Sequence, residues 1–185
     1  QEVAPRDGFQ NEAQFIDTDD KIRFIDALSE CGFAKIEVTS FTSAKAIPAL
    51  RDAEAVMQQI NRRPGVVYTV LVPNLRGAER ALSCRVDEIN LVMSASETHN
   101  RANLRMSREQ SFAQLRDIIN TLRGSGVAIN VSLSTVFGCP MEGDVSVDEV
   151  MRLVDGFAQL DVRSMTLCDT TGMAYPTQVN EIAAQ

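Results

Sequence analysis

A single histidine stands in 185 residues, and the four cysteines, Cys31, Cys84, Cys139 and Cys168, are scattered without a C-x-x-C pair. Neither a zinc site nor a disulfide framework is expected from such a set, and a reducing compartment is the default. Clusters of lysine or arginine are missing as well: 18 basic residues face 25 acidic ones, for a formal net charge of -7. That balance excludes nucleic acid as a partner, because the phosphate backbone needs a basic footprint. No apolar run approaches the ~18 residues of a membrane span, so no membrane partner is expected. No charged leader precedes a short apolar stretch. The first residue is Gln1 and the chain runs directly into an apolar segment, so any targeting leader is expected to lie upstream. A glycine-rich G-x-G-x-x-G turn, an interdomain linker and low-complexity sequence are absent too.

What is present is a repeat of two kinds of pattern. Apolar, β-branched segments recur at Glu2–Ala4, Ala34–Thr39, Val66–Val72, Glu88–Met93, Ala128–Ser134 and Ser164–Leu167, with starts 22 to 40 residues apart. Such spacing brackets the ~30 residues of a strand-helix-strand unit. The runs are nearly continuous rather than alternating, which suits strands buried on both faces of a parallel sheet. Between them lie helical stripes: Ile22, Ile25, Leu28 and Cys31; Leu50, Ala53, Val56, Met57 and Ile60; Phe112, Leu115, Ile118, Ile119 and Leu122; and Val147, Val150, Met151, Val154 and Phe157. A last helix is expected over Thr177–Ala184. Ser107 with Gln110 and Ser146 with Glu149 have capping-box spacing, and Gly32, Gly124 and Gly126 mark helix ends.

Strand and helix thus alternate about six times. A (β/α)₈ TIM barrel needs eight units and typically ~250 residues. The expected fold is therefore α/β, a TIM barrel with about six of its eight units present. Residues 1–185 are expected to form a single catalytic barrel domain, incomplete at the C-terminus. An open doubly wound sheet shares the alternation, but it usually carries a glycine-rich first turn.

Polar residues gather just past the carboxyl ends of these strands, where barrel enzymes place their chemistry. They are Arg6, Asp7 and Gln10; Glu37, Thr39 and Ser40; Ser94, Ser96 and Glu97; Ser132 and Ser134; and Asp169, Thr170 and Thr171. Any one hydroxyl here is ordinarily a helix cap or a loop-end solvating group. Glu37 is harder to explain that way. Set between Ile36 and Val38 in an apolar strand, it needs a cationic partner or carries a large desolvation cost, and Arg6 is the natural partner. Asp7 beside Arg6 is suited to giving oxygen ligands to a hard divalent cation.

The opening Glu2-Val3-Ala4-Pro5-Arg6-Asp7-Gly8-Phe9-Gln10-Asn11-Glu12 resembles the first-strand signature of the 3-hydroxy-3-methylglutaryl-CoA lyase family, within a group of metal-dependent barrel lyases and Claisen synthases. Four more stretches agree in order: Ile36–Phe41, Ser94–Glu97, Gly138–Gly143 and Asp169–Gly172. The resemblance implies a carbon-carbon lyase of leucine degradation and ketone-body formation, cleaving an acyl-CoA to acetyl-CoA and a keto acid with Mg²⁺ or Mn²⁺. It implies catalytic roles for Arg6, Glu37 and Asp169: carbonyl polarisation by Arg6, orientation of that arginine by Glu37, and proton movement near the substrate hydroxyl by Asp169. It further implies that Asp7 is the metal ligand, that Gln10, Ser40 and Thr170 line the substrate site, and that the full-length protein is a cytoplasmic homo-oligomer, a mitochondrial leader upstream of Gln1 remaining open.

The family completes its metal site with a His-x-His pair and an asparagine, and carries its catalytic cysteine in a later glycine-rich loop; these are expected downstream of residue 185. His99, in a loop Glu97–Asn100, is not expected to replace them. Cys139 is read as structural or loop-lining and Cys168 as a buried thiol. Ala13 stands where the family often has a lysine. Two other functions share these features: a Claisen-type condensing enzyme of the isopropylmalate or homocitrate synthase kind, and a non-catalytic fragment.

Overall fold

The computed structural model describes residues 1–185. Its strands are β1 (Lys35–Ser40), β2 (Val67–Leu71), β3 (Glu88–Ser94), β4 (Ala128–Ser134) and β5 (Ser164–Leu167), in the order β1-β2-β3-β4-β5. The β1–β2, β2–β3 and β4–β5 pairs are parallel. The helices are α1 (Thr18–Ser29), α2 (Ala53–Gln59), α3 (Leu75–Leu82), α4 (Glu97–Leu104), α5 (Arg108–Leu122), α6 (Val147–Ala158) and α7 (Pro176–Ala183). The chain divides into two compact units, Gln1–Asn90 with Gly124–Ala128, and Leu91–Arg123 with Ile129–Gln185.

In the first unit, the expected strand at Glu2–Ala4 is not formed. Glu2 makes one isolated parallel bridge to Ile36, and from Ala4 to Gly8 the chain is one turn of π-helix with Pro5 at its start. Proline has no N–H to give a ladder, so pairing stops and the turn begins. The sheet therefore has five strands where six were expected. The strand faces divide cleanly. Ile36, Tyr68, Val70 and Ile89 are fully buried and apolar, while Glu37, Thr69 and Glu88 lie opposite one another across β1, β2 and β3.

Of the apolar stripe expected on α1, Ile25 is fully buried, Ile22 and Leu28 are half-buried and Cys31 is exposed. The buried residues of the helix are Lys21, Ile25 and Ser29. Lys21 tolerates burial because its Nζ donates to Ala49 O and Asp52 Oδ1, both at 2.7 Å, and lies 4.2 Å from the Phe15 ring centre. Ser29 accepts from the Tyr68 hydroxyl at 2.9 Å. α2 is shorter than its stripe, since Pro48–Leu50 form a separate 3₁₀ turn. α3 has no large apolar stripe: it buries Gly77, Ala78 and Ala81. A Cβ on Gly77 would stand 2.9 Å from Phe41 O, so this helix packs close because its facing residues are small.

In the second unit, Glu97–Asn100 begin helix α4 rather than a loop, with Ser96 as N-cap accepting from the His99 N–H. Ser107 and Gln110 form the full capping box. Ser146 accepts from the Glu149 N–H, but the Glu149 carboxylate does not return the bond; Arg108 Nη1 donates to it at 2.8 Å. A charged donor outcompetes a backbone amide here. Leu115, Ile118, Ile119 and Leu122 of α5 are buried as expected, as are Val150 and Phe157 of α6, and the Phe112 and Phe157 rings meet at 4.6 Å. No helix is long and apolar enough to cross a membrane.

Candidate active site

The first unit assembles its site around a buried carboxylate. Glu37 is 1% exposed in the middle of β1. Arg6 Nε donates to its Oε1, Asn90 Nδ2 donates to its Oε2 at 3.0 Å, and Gln1 Nε2 adds a contact at 3.4 Å. Both oxygens are thus engaged, which is the condition under which a charge survives out of water. Arg6 reaches this position because the π-turn after the Glu2 bridge brings its side chain back over β1. Its Nη1 donates to Asp7 Oδ1 at 2.7 Å, and Gln10 Nε2 donates to the same oxygen at 2.9 Å. Nη2 makes no hydrogen bond within the protein. Asp7 itself is exposed, its side chain retaining 53% of its surface.

Ser40 joins this face through an irregularity. The β1–β2 register pairs Glu37 with Thr69 but Thr39 with Val70 and Ser40 with Leu71, so Val38 is an extra residue bulging from the ladder. Residues three apart on a regular strand face opposite sides. Here Glu37 and Ser40 are opposite Thr69 and Leu71, two apart on β2, and so share a face, as do Glu88 and Asn90 on β3. The Ser40 hydroxyl lies 2.7 Å from Thr42 Oγ1 and accepts from the Thr42 N–H at 3.2 Å. Lys35 Nζ donates to Glu88 Oε1 at 2.6 Å, which gives the second buried acid its own cation.

The second unit holds the other expected residues. Asp169 and Thr170 lie in the loop after β5. Asp169 Oδ1 accepts from the Met173 N–H at 2.9 Å, closing the turn at Gly172, and Thr170 Oγ1 accepts from the Thr135 N–H at 2.8 Å. Thr135 has φ 58°, an unusual conformation for a β-branched residue. Three bonds over-determine it: the one from its amide to Thr170, the Ser96 N–H donating to Thr135 Oγ1 at 3.2 Å, and Thr135 Oγ1 donating to Ser134 O at 2.7 Å. Nothing in the sequence patterns marked this threonine.

His99 Nδ1 lies 2.6 Å from Ser94 Oγ, so the only imidazole serves a buried serine at the end of β3. Cys139 is fully buried and accepts from the Ser96 hydroxyl at 3.1 Å, the structural placement expected of it. Glu142, in the same Gly138–Gly143 loop, accepts from the Thr98 N–H. Its carboxyl sits below the ordinary 4.5: burial opposes this, but the hydrogen bonds from Thr98, Ser96 and Glu97 prevail. Glu97 is likewise lowered, chiefly by the Arg108 N–H and then by Arg101. Cys168 is half-buried rather than buried, because β5 ends the strand order and keeps partial exposure along its length.

The HMGL-like family model matches residues 1–185. The chain belongs to the HMGL-like family. Hydroxymethylglutaryl-CoA lyase YngG of Bacillus subtilis (strain 168) is 46% identical over 181 residues, 98% of this chain and 60% of that protein. The mitochondrial hydroxymethylglutaryl-CoA lyase of Gallus gallus is 37% identical over 183 residues, 99% of this chain and 61% of the other. An HMG-CoA lyase from Acinetobacter baumannii, solved with coenzyme A and 3-methylmalate, superposes with a TM-score of 0.95 at 49% identity, covering all of this chain and 60% of that one. The chain thus spans about 60% of the length of the relatives it matches. The HMGL-like fold is a TIM barrel, as the strand and helix alternation implied.

The family is metal-dependent. Among this chain's residues Asp7 offers the hard, exposed oxygens such a cation takes, and no group of three or more His, Cys, Asp or Glu side chains is close enough to hold an ion. Asp7 therefore fits a metal as one contributor to a coordination sphere.

Proposed function

We propose that the protein of which these residues are part cleaves 3-hydroxy-3-methylglutaryl-CoA, or a close 3-hydroxyacyl-CoA, to acetyl-CoA and a keto acid. The observation that carries the reading is the Arg6 guanidinium, held by the buried Glu37 on one edge and by Asp7 on another, with Nη2 left over. In the retro-aldol reaction the substrate hydroxyl loses its proton and the bond between C2 and C3 breaks. The hydroxyl-bearing carbon becomes a ketone, the electron pair passes into the thioester as an enolate, and C2 of that enolate takes up one proton to give acetyl-CoA, balancing the proton lost from the hydroxyl. Arg6 Nη2 is the donor aimed at that developing oxyanion, a contribution typically of ~10² to 10³ in rate. Glu37 keeps the guanidinium from rotating away. Gln10 borders the guanidinium through Asp7, Ser40 lies on the Glu37 face of β1, and both are assigned to the substrate. Asp169, exposed in the loop after β5, takes the role of moving the hydroxyl proton, and Thr170 fixes that loop through the Thr135 amide.

Asp7 is the residue that holds the divalent cation, Mg²⁺ or Mn²⁺, from this part of the protein. When bound, such a cation neutralises charge on the substrate oxygens as a Lewis acid. Four free cysteines accord with a reducing, cytoplasmic compartment.

The test is a steady-state assay of the gene product that carries residues 1–185, with Mg²⁺ or Mn²⁺ and a panel of acyl-CoA substrates. Release of acetyl-CoA from 3-hydroxy-3-methylglutaryl-CoA supports the proposal, and Arg6→Gln should lower turnover by about 10² to 10³. Reaction only in the condensing direction, from acetyl-CoA and a keto acid, would replace it with a synthase.

A further inference from the structure

The Arg6–Glu37 pair has a third member that belongs to none of the motifs in the sequence. Asn90 lies on β3, with β2 between it and β1, and is 5% exposed. The register sets it opposite Leu71, which is opposite Ser40, one layer above the row Glu37, Thr69 and Glu88. From there its Nδ2 spans to Glu37 Oε2 at 3.0 Å, while Glu37 Oε1 receives Arg6 Nε. The only other donor on Oε2 is Gln1, longer at 3.4 Å and from an exposed residue at the start of the chain. A carboxylate held at one oxygen can pivot about its last bond. One held at both oxygens cannot. The other buried acid of this face does not compete for the arginine, because Lys35 takes Glu88.

We propose that Asn90 is a positioning residue: by fixing Glu37 Oε2 it locks the carboxylate plane, and through it the Nε edge of Arg6, so that Nη2 faces the substrate oxyanion. The inference rests on the proposed lyase reading for its catalytic consequence, but not for its structural one. An asparagine suits the task better than a second cation. It supplies a donor without a charge, so Arg6 remains the only positive group on Glu37 and its guanidinium is not displaced.

The test has two arms. In the first, the 15N–1H resonance of Arg6 Nε is followed in the chain as it stands and in Asn90→Leu and Asn90→Ala, each checked for retained fold by circular dichroism. The expected result is that Hε exchange with solvent becomes at least tenfold faster in whichever variant remains folded. Unchanged exchange in a folded variant would overturn the proposal, showing that Arg6 and Gln1 hold Glu37 unaided. In the second arm the same variants are assayed in the gene product for cleavage of 3-hydroxy-3-methylglutaryl-CoA. The expected result is a fall in kcat of about tenfold with KM within twofold, because the group being loosened acts on the transition state; a rise in KM at unchanged kcat would overturn the catalytic consequence. Complete inactivity of the unmodified protein on every acyl-CoA would sink the lyase reading alone, since the exchange arm would still decide the role of Asn90.

Discussion

Arg6 and Glu37 form an ion pair in which the acid is almost wholly buried and the base keeps 17% of its side-chain surface. Such a pair contributes little relative to a well-packed apolar substitute, but removing one partner strands the other charge. Arg6→Met should therefore destabilise the chain by about 2–4 kcal/mol, toward the lower part of the range for broken buried pairs because Arg6 is partly solvated. The double change Arg6→Met with Glu37→Leu should recover at least half of that loss in urea unfolding. If the double variant were less stable than the single one, the pair would be a net stabiliser. The arginine and the acid were both legible in the sequence, because a lone glutamate between Ile36 and Val38 demands a cation. Asn90 was not. An uncharged amide in an apolar strand has many ways to be satisfied, and the one used here depends on a register across three strands. Lys21 was hidden for a similar reason: its burial rests on Asp52 and Ala49 O, which only the docking of Pro48–Asp52 brings within reach.

Among the elements, α4 illustrates how a helix too polar to show an apolar stripe is nevertheless fixed. Its first turn is capped internally by Ser96 and externally by Glu142, whose carboxylate accepts from the Thr98 N–H. Because hydrogen bonding lowers the folded-state value of Glu142 below its ordinary 4.5, the associated stability is present above that ordinary value and is lost as pH falls through the lower, folded one. The Thr98 amide should accordingly lose protection from hydrogen exchange only once the solution is taken below that ordinary carboxylate value. Glu142→Gln should show that weaker protection already at neutral pH and no further loss of it on acidification. A wild-type Thr98 amide indifferent to pH between 6 and 3 would remove Glu142 from this role. α3 makes the complementary case. Its identity rests on smallness, and Gly77→Ala would force a Cβ to 2.9 Å from the backbone oxygen of Phe41. A cost of about 1–3 kcal/mol is expected, typical of overpacking against atoms that cannot rotate aside, and thermal unfolding would measure it. Strands β1 to β4 were readable because burial on both faces leaves continuous apolar runs. The missing first strand was not, since Glu2–Ala4 has strand composition but Pro5 ends its pairing after one bridge.

For the molecule as a whole, the decisive pattern is that each unit carries rows of polar side chains on its strands: in the first, Glu37 and Ser40 on β1, Thr69 on β2, and Glu88 and Asn90 on β3 share one face, and in the second, Asn130 and Ser132 on β4 pair with Ser164 and Thr166 on β5. Asn130 Oδ1 accepts from the Ser164 hydroxyl at 2.8 Å and from the Thr166 hydroxyl at 3.2 Å, so even the residues with no assigned chemistry are tied together. A face built this way is suited to hold charged groups in fixed positions, but a metal makes a further demand. Mg²⁺ gives up its hydration reluctantly and takes several well-placed oxygen or imidazole ligands. Residues 1–185 present Asp7, whose Oδ1 already accepts from Arg6 and Gln10, and a guanidinium 2.7 Å from that carboxylate opposes any incoming cation. Taken as an isolated polypeptide, these residues should therefore bind Mn²⁺ with a Kd above about 1 mM, and Asp7→Asn should change that value little. In the proposed reaction Arg6 would then face the enolate without a tightly held cation, and losing one electrostatic partner of this kind typically costs ~10² to 10³ in rate. Mn²⁺ titration monitored by the electron paramagnetic resonance of the free ion, together with acetyl-CoA release from 3-hydroxy-3-methylglutaryl-CoA, would check both statements. Micromolar binding abolished by Asp7→Asn, or turnover within tenfold of a full-length homologue, would show that Asp7 has ligand partners within this chain that the side-chain geometry does not bring together.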